Sequence, residues 1–264
     1  MADFLEEVTA KTRERLGVQK SKWSLEQLKR GLKKNVPAHP FRKAIHQTGN
    51  VAVIAEIKQA SPSAGLIRKE ENMAGRMKAY AKGGAAALSI LTEETYFYGS
   101  PQLLVEARAI VSLPLLRKDF IIDPYQIVES KSLGADAILL ITSLLPGPQL
   151  REFIEQAEAI GLETLVEIHD ERDLEQAVQA QAKVIGINNR NLRTLRVDTK
   201  NAEKLLAIAP KRGVTLVVES GIISPSELPR LKQLGAHAVL VGEILMRAED
   251  PERLVKEFVF ACRK

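Results

Sequence analysis

The sequence predicts an α/β fold, a (β/α)8 TIM barrel with a helical N-terminal extension. Three observations support it: eight strand-and-helix units follow residue 50, their strands are near-continuous apolar runs, and polar residues gather where those runs end. The chain has 264 residues, of which 45% are hydrophobic and 27% charged, which is typical of a folded protein and fits one large barrel. We expect a single domain over residues 1–264, with the extension over 1–48 and the barrel over 49–264.

The extension is predicted to consist of short helices. Apolar residues recur there at helical spacing, at Phe4, Leu5, Val8 and Leu16. Ser24 and Gln27 form the pattern of a capping box, which predicts the start of a second helix. A third, short helical piece is expected at residues 41–47, after two prolines. The favoured interpretation of this segment is a solvated amphipathic cap on the barrel.

The barrel strands are predicted from eight apolar runs, each followed by a turn and an amphipathic helix. The runs span residues 51–58, 87–93, 113–120, 137–142, 163–169, 184–189, 215–220 and 238–243. Four helix starts carry a capping residue directly before Pro, at Ser100, Asp123, Ser224 and Asp250. An open doubly wound sheet is the alternative fold, but no Gly-x-Gly-x-x-Gly follows the first run.

Charge and cysteine content limit the class of protein. The formal net charge is +5, and the excess lies in residues 1–50, which hold eleven Lys or Arg and five Asp or Glu. The rest of the chain is nearly neutral, so a small anionic ligand is favoured over nucleic acid. Cys262 is the single cysteine, which excludes an intrachain disulfide and suits a reducing compartment. With no secretory signal and no apolar run of about 18 residues, we expect a cytoplasmic protein without a membrane partner.

Ionisable residues stand at the ends of several predicted strands. The set comprises Glu56, Lys58, Lys118, Glu167 and Glu219. Glu56 and Lys58 are two positions apart, so they share one face of the first strand. Strand ends meet at one mouth of a barrel, where active sites form, and clustered buried charges are typical of acid–base catalysis. The structural alternative, in which each residue pairs with a loop charge, explains five such residues less well.

A phosphate site is predicted at the same mouth. The last two runs end in Ser220-Gly221 and Gly242-Glu243, and loops after these strands are the usual phosphate site of a barrel. Ser61 could add a hydroxyl group and Arg190 a bidentate donor. The four histidines are scattered without the spacing of metal ligands, so we expect no metal.

Seven stretches of the sequence carry characteristic motifs. They are IAEIKQASPSAG at 54–65, LTEETYFYGS at 91–100, LRKDF at 116–120, LVEIH at 165–169, IGINNRNL at 185–192, VESG at 218–221 and VGEILM at 241–246. Together, over nearly the whole chain, they resemble the indole-3-glycerol-phosphate synthase family. The resemblance implies that 1-(2-carboxyphenylamino)-1-deoxyribulose 5-phosphate closes its ring, loses CO2 and water, and becomes indole-3-glycerol phosphate in tryptophan biosynthesis. It implies neither an organic cofactor nor a metal.

The resemblance also implies roles for individual residues. Lys118 is the best candidate for the acid that protonates the ketone oxygen. Lys58, paired with Glu56, would meet the leaving carboxylate, and Glu167 would be a second acid–base group. How the protons are divided among Lys58, Lys118 and Glu167 stays open. Asn188, Glu219 and Ser220 would orient the substrate and the lysines.

The remaining implied contacts fall into two groups. The phosphate contacts are Ser61, Arg190, Gly221, Gly242 and the backbone N–H of Glu243. The apolar pocket for the aromatic ring and chain comprises Phe97, Phe120, Leu139, Ile141 and Leu192. The sequence departs from the family at Ala64, where Lys is common, and at Ile244, where small or hydroxyl residues are frequent.

Two alternative functions remain open at this point. One is another phosphosugar barrel, such as phosphoribosylanthranilate isomerase, although that type uses a carboxylate or Cys at the end of the first strand. The other is a non-catalytic barrel that binds phosphate or nucleic acid. We expect a small phosphorylated substrate, and a monomer rather than an obligate oligomer.

Overall fold

The computed structural model describes residues 3–32, 39–47 and 49–262, and its centre is a closed barrel of eight parallel strands. The barrel strands are β1 (Ala52–Ile57), β2 (Ala87–Leu91), β3 (Leu115–Lys118), β4 (Ala137–Ile141), β5 (Glu163–Ile168), β6 (Val184–Asn188), β7 (Thr215–Glu219) and β8 (Ala238–Val241). The barrel closes because β1 pairs with both β2 and β8, with Ile54 aligned to Ala87 and to Leu240. The predicted (β/α)8 fold is therefore confirmed.

Twelve α-helices are seen within the described residues. They are α1 (Phe4–Lys22), α2 (Leu25–Gly31), α3 (Phe41–Ile45), α4 (Met73–Gly83), α5 (Pro101–Ile110), α6 (Pro124–Ser132), α7 (Gly147–Ala159), α8 (Glu171–Gln179), α9 (Lys200–Ile208), α10 (Leu228–Gln233), α11 (Glu243–Arg247) and α12 (Pro251–Phe260). A two-residue antiparallel ladder joins Ala60–Ser61 to Gly65–Leu66 in the loop after β1. None of these helices is long and apolar enough to cross a membrane.

The helix starts follow the capping patterns in the sequence. The side chains of Ser100, Asp123 and Asp250 accept hydrogen bonds from the first turns of α5, α6 and α12. Ser24 and Gln27 form the expected capping box at α2. The eighth predicted strand, 238–243, ends earlier, at Val241, because α11 begins at Glu243.

Two apolar layers hold the barrel together. The first fills the space between the strands and the outer helices, where Met77 of α4, for example, packs against the strands. The second fills the barrel interior, where residues such as Ile54, Leu116 and Val217 are fully buried. Alternation of side chains along each strand assigns residues to one layer or the other. Toward the ends of the strands, the next inward-facing positions are polar, and their side chains line the cavity at the barrel mouth.

The N-terminal extension contacts both ends of the barrel. At the end where the strands begin, Phe41 and Ile45 of α3 are fully buried against the interior layer. At the end where the strands finish, Arg15 of α1 hydrogen-bonds Asp119 after β3 at 2.9 Å. Lys20 of α1 forms an ion pair of 2.7 Å with Asp123. The extension therefore joins the amino end of the barrel to the mouth of the site.

Candidate active site

Four inward-pointing ionisable side chains come from alternate strands of the barrel. Glu56 lies on β1, Lys118 on β3, Glu167 on β5 and Glu219 on β7. Each is two positions after an interior apolar residue, as Lys118 is after Leu116, and strand geometry therefore turns it toward the barrel axis. Lys58, just beyond β1, shares the face of Glu56. The five predicted residues thus meet at the mouth of the barrel.

Lys118 lies between two carboxylates. Its Nζ is 2.7 Å from Glu167 Oε2 and 2.9 Å from Glu219 Oε2. The amide of Asn188 donates a hydrogen bond of 2.9 Å to the other oxygen of Glu167, which fixes the rotation of that carboxylate. Charge-assisted contacts of this length are the strong class of hydrogen bond. The side chain that carries a transferable proton is therefore held in one place.

The electrostatics of the cluster favour a protonated Lys118. Burial alone would lower the pKa of Lys118, but Glu167 and Glu219 outweigh it, and the pKa is raised. Burial raises the pKa of Glu219 to about 7, against the opposing effect of Lys118. The ammonium groups of Lys58 and Lys118 offset most of the negative charge of Glu56, Glu167 and Glu219. Such a compensated cluster can be buried without a large desolvation cost.

A second ion pair stands beside the first. Lys58 Nζ lies 2.8 Å from Glu56 Oε1, and the Glu56 side chain is nearly fully buried. Gly242, after β8, leaves room for this pair, because a Cβ there would lie 2.5 Å from Glu56 Oε1 and 3.0 Å from Lys58 Cε. Sequence reasoning assigned Gly242 a phosphate role only; its contact with the ion pair is a second reason for glycine.

Backbone geometry after β7 suits the binding of an anion. Ser220 and Gly221 have φ values of 62° and 76°, in the left-handed region. A Cβ at Gly221 would lie 2.9 Å from Val197 Cγ1, so both conformation and space require glycine there. Glu243, after β8, is the first residue of α11. Exposed backbone N–H groups of this kind can bind phosphate oxygens.

Arg190 and Ser61 complete the polar half of the mouth. Arg190 Nη1 donates to Ser63 Oγ at 2.7 Å and to the Leu195 carbonyl at 3.0 Å, which connects the loops after β6 and β1. Ser61 Oγ accepts from the Ala64 N–H at 3.2 Å. Within the described residues no carboxylate forms an ion pair with Arg190. Its guanidinium charge is therefore available to an anionic ligand.

Aromatic and aliphatic side chains form the other half of the mouth. Phe97 and Phe120 have ring centroids 6.3 Å apart, and Leu139 and Ile141 extend the surface along β4. In barrel order, β2, β3 and β4 supply most of this apolar wall, whereas β6, β7, β8 and β1 are followed by the residues that the sequence predicts to bind phosphate. Leu192, after β6, is the exception. The mouth thus has an apolar half and a polar half, and Lys118 lies on the wall of the same cavity.

A cavity of about 370 Å³ unites these groups. It is lined by every residue proposed from the sequence, namely Glu56, Lys58, Ser61, Phe97, Lys118, Phe120, Leu139, Ile141, Glu167, Asn188, Arg190, Leu192, Glu219, Ser220, Gly221, Gly242 and Glu243. Its size and mixed lining suit one small phosphorylated molecule with an aromatic part.

Comparison with known proteins decides which phosphosugar barrel this is. A sequence model described as indole-3-glycerol phosphate synthase matches residues 5–258. The chain belongs to the indole-3-glycerol phosphate synthase family. It is 45% identical over 260 residues to the indole-3-glycerol phosphate synthase of Carboxydothermus hydrogenoformans, covering 96% of this chain and 98% of that one. It is 44% identical to that of Acetivibrio thermocellus, covering 97% and 98%. Membership excludes both alternatives left open by the sequence.

Solved structures of much lower sequence identity share the barrel fold. KGPDC from Streptococcus mutans superposes with a TM-score of 0.62 and 14% identity, covering 82% of this chain and 98% of that one. Thiamine phosphate pyrophosphorylase from Pyrococcus furiosus superposes with a TM-score of 0.61 and 14% identity, covering 84% and 97%. At such identities the likeness shows the barrel fold alone.

Phe4 lines the cavity, although the sequence did not predict it as a site residue. It lies at the start of α1. Its ring packs edge-to-face on Tyr96 at 5.2 Å and on Phe120 at 6.2 Å. Its helical spacing marked it only as an apolar position of the extension. No local pattern reveals a contact with the end of β3, because the partners are far apart in sequence.

Replacing Phe4 with Ala should weaken substrate binding more than it slows turnover. The substitution removes one of the clustered rings, and an aromatic pair is worth about 0.5–1.5 kcal/mol beyond its buried area. We expect the KM to rise about 2- to 10-fold, measured by steady-state kinetics. Val18→Ala, at an exposed position of the same helix, is the control. An unchanged KM in Phe4→Ala would remove α1 from the binding surface.

The neighbours of Lys118 in sequence form a separate buried network. Arg117 is fully buried and reaches Glu129 of α6 at 2.7 Å and Asp119 at 3.0 Å. Asp119 also binds Arg15 of α1. Burial would raise the pKa of Asp119, but the two guanidinium groups outweigh it and the pKa is lowered. The network connects β3 to α6 and α1, and so it fixes the strand end that holds Lys118.

Proposed function

We propose that the ionisable cluster at the barrel mouth performs the chemistry of the indole-3-glycerol phosphate synthase reaction. In that reaction, 1-(2-carboxyphenylamino)-1-deoxyribulose 5-phosphate closes its ring with loss of CO2 and water. The observation that supports this assignment best is Lys118, a buried ammonium held between Glu167 and Glu219 on the wall of the cavity. An ammonium there can protonate the ketone oxygen as the ring closes.

The division of the mouth suggests how the substrate is oriented. Its phosphate would bind the residues after β1, β6, β7 and β8, with Arg190 as the charged donor and Gly221 as a close backbone contact. Its aromatic ring would pack on the wall around Phe120. The ketone carbon lies between phosphate and ring in the substrate. This orientation therefore brings the ketone toward Lys118.

Each chemical step then has a residue within reach. In the first step the aryl carbon attacks the ketone carbon, and the ketone oxygen takes a proton from Lys118 to become a hydroxyl. The bond to the carboxyl group breaks next, CO2 leaves, and its electron pair restores the aromatic ring. Last, the hydroxyl leaves as water with a proton from an acid, while a base takes a proton from the ring system. We propose Glu167 and Lys58 as the acid–base groups of this last step.

Lys58 has an earlier role in this proposal. The substrate carboxylate must be held until it leaves, and Lys58 is a second ammonium on the cavity wall. Its 2.8 Å ion pair with Glu56 fixes the ammonium in the absence of substrate. Asn188, Glu219 and Ser220 would act by holding Glu167, Lys118 and the substrate in place.

Replacing Glu56 with Gln should lower activity because Lys58 loses its anionic partner. A hydrogen bond to a charged group contributes about 1.5–3 kcal/mol, so we expect kcat/KM to fall about 10- to 100-fold. Steady-state rates of wild type and variant give the comparison. Glu155→Gln, which breaks an exposed ion pair with Arg151 on α7, is the matched control. Equal rates for Glu56→Gln and wild type would exclude Glu56 from the site.

The product assay tests the proposed chemistry as a whole. The purified chain is mixed with the carboxyphenylamino substrate, and indole fluorescence and released CO2 are followed together. We expect one CO2 for each indole formed, and loss of both signals in the variants of Lys118 and Glu167. Conversion at the wild-type rate by those variants would contradict the assigned roles.

We also propose the setting in which the enzyme acts. The extension, 1–48, and the barrel, 49–264, form one domain, supported by the contacts of α1 and α3 with opposite barrel ends. The protein works as a monomer in the cytoplasm, where its single cysteine suits a reducing compartment. It has no nucleic-acid partner, because its excess positive charge is confined to residues 1–50. Size-exclusion chromatography with light scattering tests the oligomeric state.

A further inference from the structure

Gly186 is a glycine in the middle of β6 whose presence the backbone does not require. Its φ lies outside the left-handed region, and it pairs regularly with Glu167 on β5 and Val217 on β7. Glycine weakens a strand interior, since it adds conformational entropy to the unfolded chain and supplies no packing. Gly186 faces the barrel interior, between Val184 and Asn188. The reason for glycine must therefore be space.

The carboxylate of Glu219 fills the space that a side chain at Gly186 would need. A Cβ built at Gly186 would lie 2.1 Å from Glu219 Oε1 and 3.2 Å from Glu219 Cδ. The third neighbour is Leu165 Cδ1, also at 3.2 Å. Non-bonded contacts of a Cβ atom shorter than 3.0 Å are essentially never seen in proteins, so 2.1 Å is a severe clash. An alanine at this position would displace the Glu219 carboxylate, whereas Leu165 would need to give way only slightly.

The two oxygens of Glu219 have different surroundings. Oε2 accepts a hydrogen bond from Lys118 at 2.9 Å, while Oε1 is buried beside Gly186 and has no hydrogen-bond partner among the described residues. A buried oxygen without a partner is costly. The side chain occupies this position because Lys118 holds one oxygen and the gap at Gly186 admits the other.

We infer that Gly186 is a positioning residue of the active site: its missing side chain provides the niche that seats Glu219 deep in the barrel, where Glu219 fixes Lys118. The inference rests on the roles proposed above for Lys118 and Glu219. An added methyl group would push the carboxylate toward the mouth, into the volume that the substrate needs. Lys118 would then follow Glu219 or lose one of its two anionic partners.

The protonation of Glu219 provides a readout that simple loss of packing would not change. Burial in the niche raises the pKa of Glu219 to about 7. The titratable groups that face it are Lys118 on β3, Glu167 on β5 and Glu56 on β1. Displacement toward the open mouth restores solvation, so the pKa should fall. In Gly186→Ala, the part of the kcat–pH profile that depends on this group should therefore move to lower pH.

The decisive experiment compares two ways of making room for the new methyl group. Glu219→Asp shortens the displaced side chain, and Leu165→Val shortens the other close neighbour. Steady-state kinetics are measured for the singles Gly186→Ala, Glu219→Asp and Leu165→Val, and for Gly186→Ala combined with each of the other two. We expect Gly186→Ala to lower kcat about 10- to 100-fold, the order found for misplaced catalytic groups, with a smaller change in KM.

Rescue distinguishes positioning from packing. If Glu219 is the displaced group, Gly186→Ala/Glu219→Asp should have a higher kcat than Gly186→Ala, and Gly186→Ala/Leu165→Val should not. Rescue by Leu165→Val alone, or multiplied losses in the Glu219→Asp double variant, would overturn the inference. So would a wild-type kcat and pH profile in Gly186→Ala.

Two further measurements keep the test interpretable. If Gly186→Ala folds poorly, thermal unfolding midpoints give the same comparison, because only Glu219→Asp should recover the Tm lost to a clash with the carboxylate. Lys118→Ala is measured in parallel. If Lys118→Ala remains active, the proposed function fails; if Lys118→Ala is inactive but Glu219→Asp gives no rescue, only the inference about Gly186 fails.

Discussion

Lys118→Ala should abolish measurable turnover, with a loss of kcat of at least about 10³-fold. A positioned general acid typically contributes about 10²- to 10⁴-fold to a rate, and Lys118 is the ammonium that two buried carboxylates hold in the cavity. Without it, the ketone oxygen has no acid beside it as the ring closes. The variant also leaves Glu167 and Glu219 without their shared cation, which adds repulsion at the site where the substrate carboxylate must enter.

The fold should survive this substitution, since the Lys118 side chain packs within the polar mouth and the apolar layers below it are untouched. Circular dichroism and thermal unfolding check this directly. Lys183→Ala, which breaks an exposed ion pair with Glu158, is the matched control and should keep wild-type kinetics. A near-normal kcat in folded Lys118→Ala would refute its assignment as the first acid.

Glu167→Gln should lower kcat about 10²- to 10³-fold, within the range of a lost acid–base group, with a smaller change in KM. Glutamine keeps the size of the side chain but has neither the negative charge nor a transferable acid proton. Lys118 loses its 2.7 Å partner, and the 2.9 Å hydrogen bond from Asn188 no longer fixes a carboxylate. Both the last proton transfers and the placement of the first acid are therefore affected.

Glu163→Gln is the matched control on the same strand. Glu163 stands at the opposite end of β5, where its carboxylate accepts a hydrogen bond from the Arg42 N–H of α3. Residues at that end of a barrel affect stability rather than catalysis, so we expect a lower Tm with little change in kcat. Comparable losses of kcat in the two variants would show that the effect of Glu167 comes from disturbance of β5.

The barrel and most of its mouth were predictable because the signals are local. Apolar runs, proline-marked helix starts and residue alternation all act within a few positions of the chain, and they predict which residues end each strand. Alternation also separates Lys118, which points inward, from Arg117 and Asp119, which point outward to α6 and α1. The three residues are consecutive in the sequence, and the period of two along a strand is what distinguishes them.

The parts of the site that the sequence missed depend on long-range contacts. Arg15 and Asp119 are 104 residues apart, and the packing of Phe4 on Phe120 spans a similar separation. Two glycine contacts are another case: Gly186 is only one glycine among 16 in the sequence, and the sequence indicates a phosphate contact for Gly242 but not its contact with the Lys58–Glu56 ion pair. Their importance lies in which carboxylate fills the space beside them, and only the three-dimensional arrangement of neighbouring strands determines that.

The most direct test of the proposed site is a crystal structure of the protein with a substrate analogue whose ketone is reduced to an alcohol, so that the ring cannot close. We expect the analogue's phosphate on Arg190 and the backbone of Gly221 and Glu243, and its aromatic ring on the wall around Phe120. The oxygen that replaces the ketone should lie within hydrogen-bond distance of Lys118 Nζ. An analogue bound in the reverse orientation, or with that oxygen beyond the reach of Lys118, would contradict the proposed roles of Lys118 and Arg190.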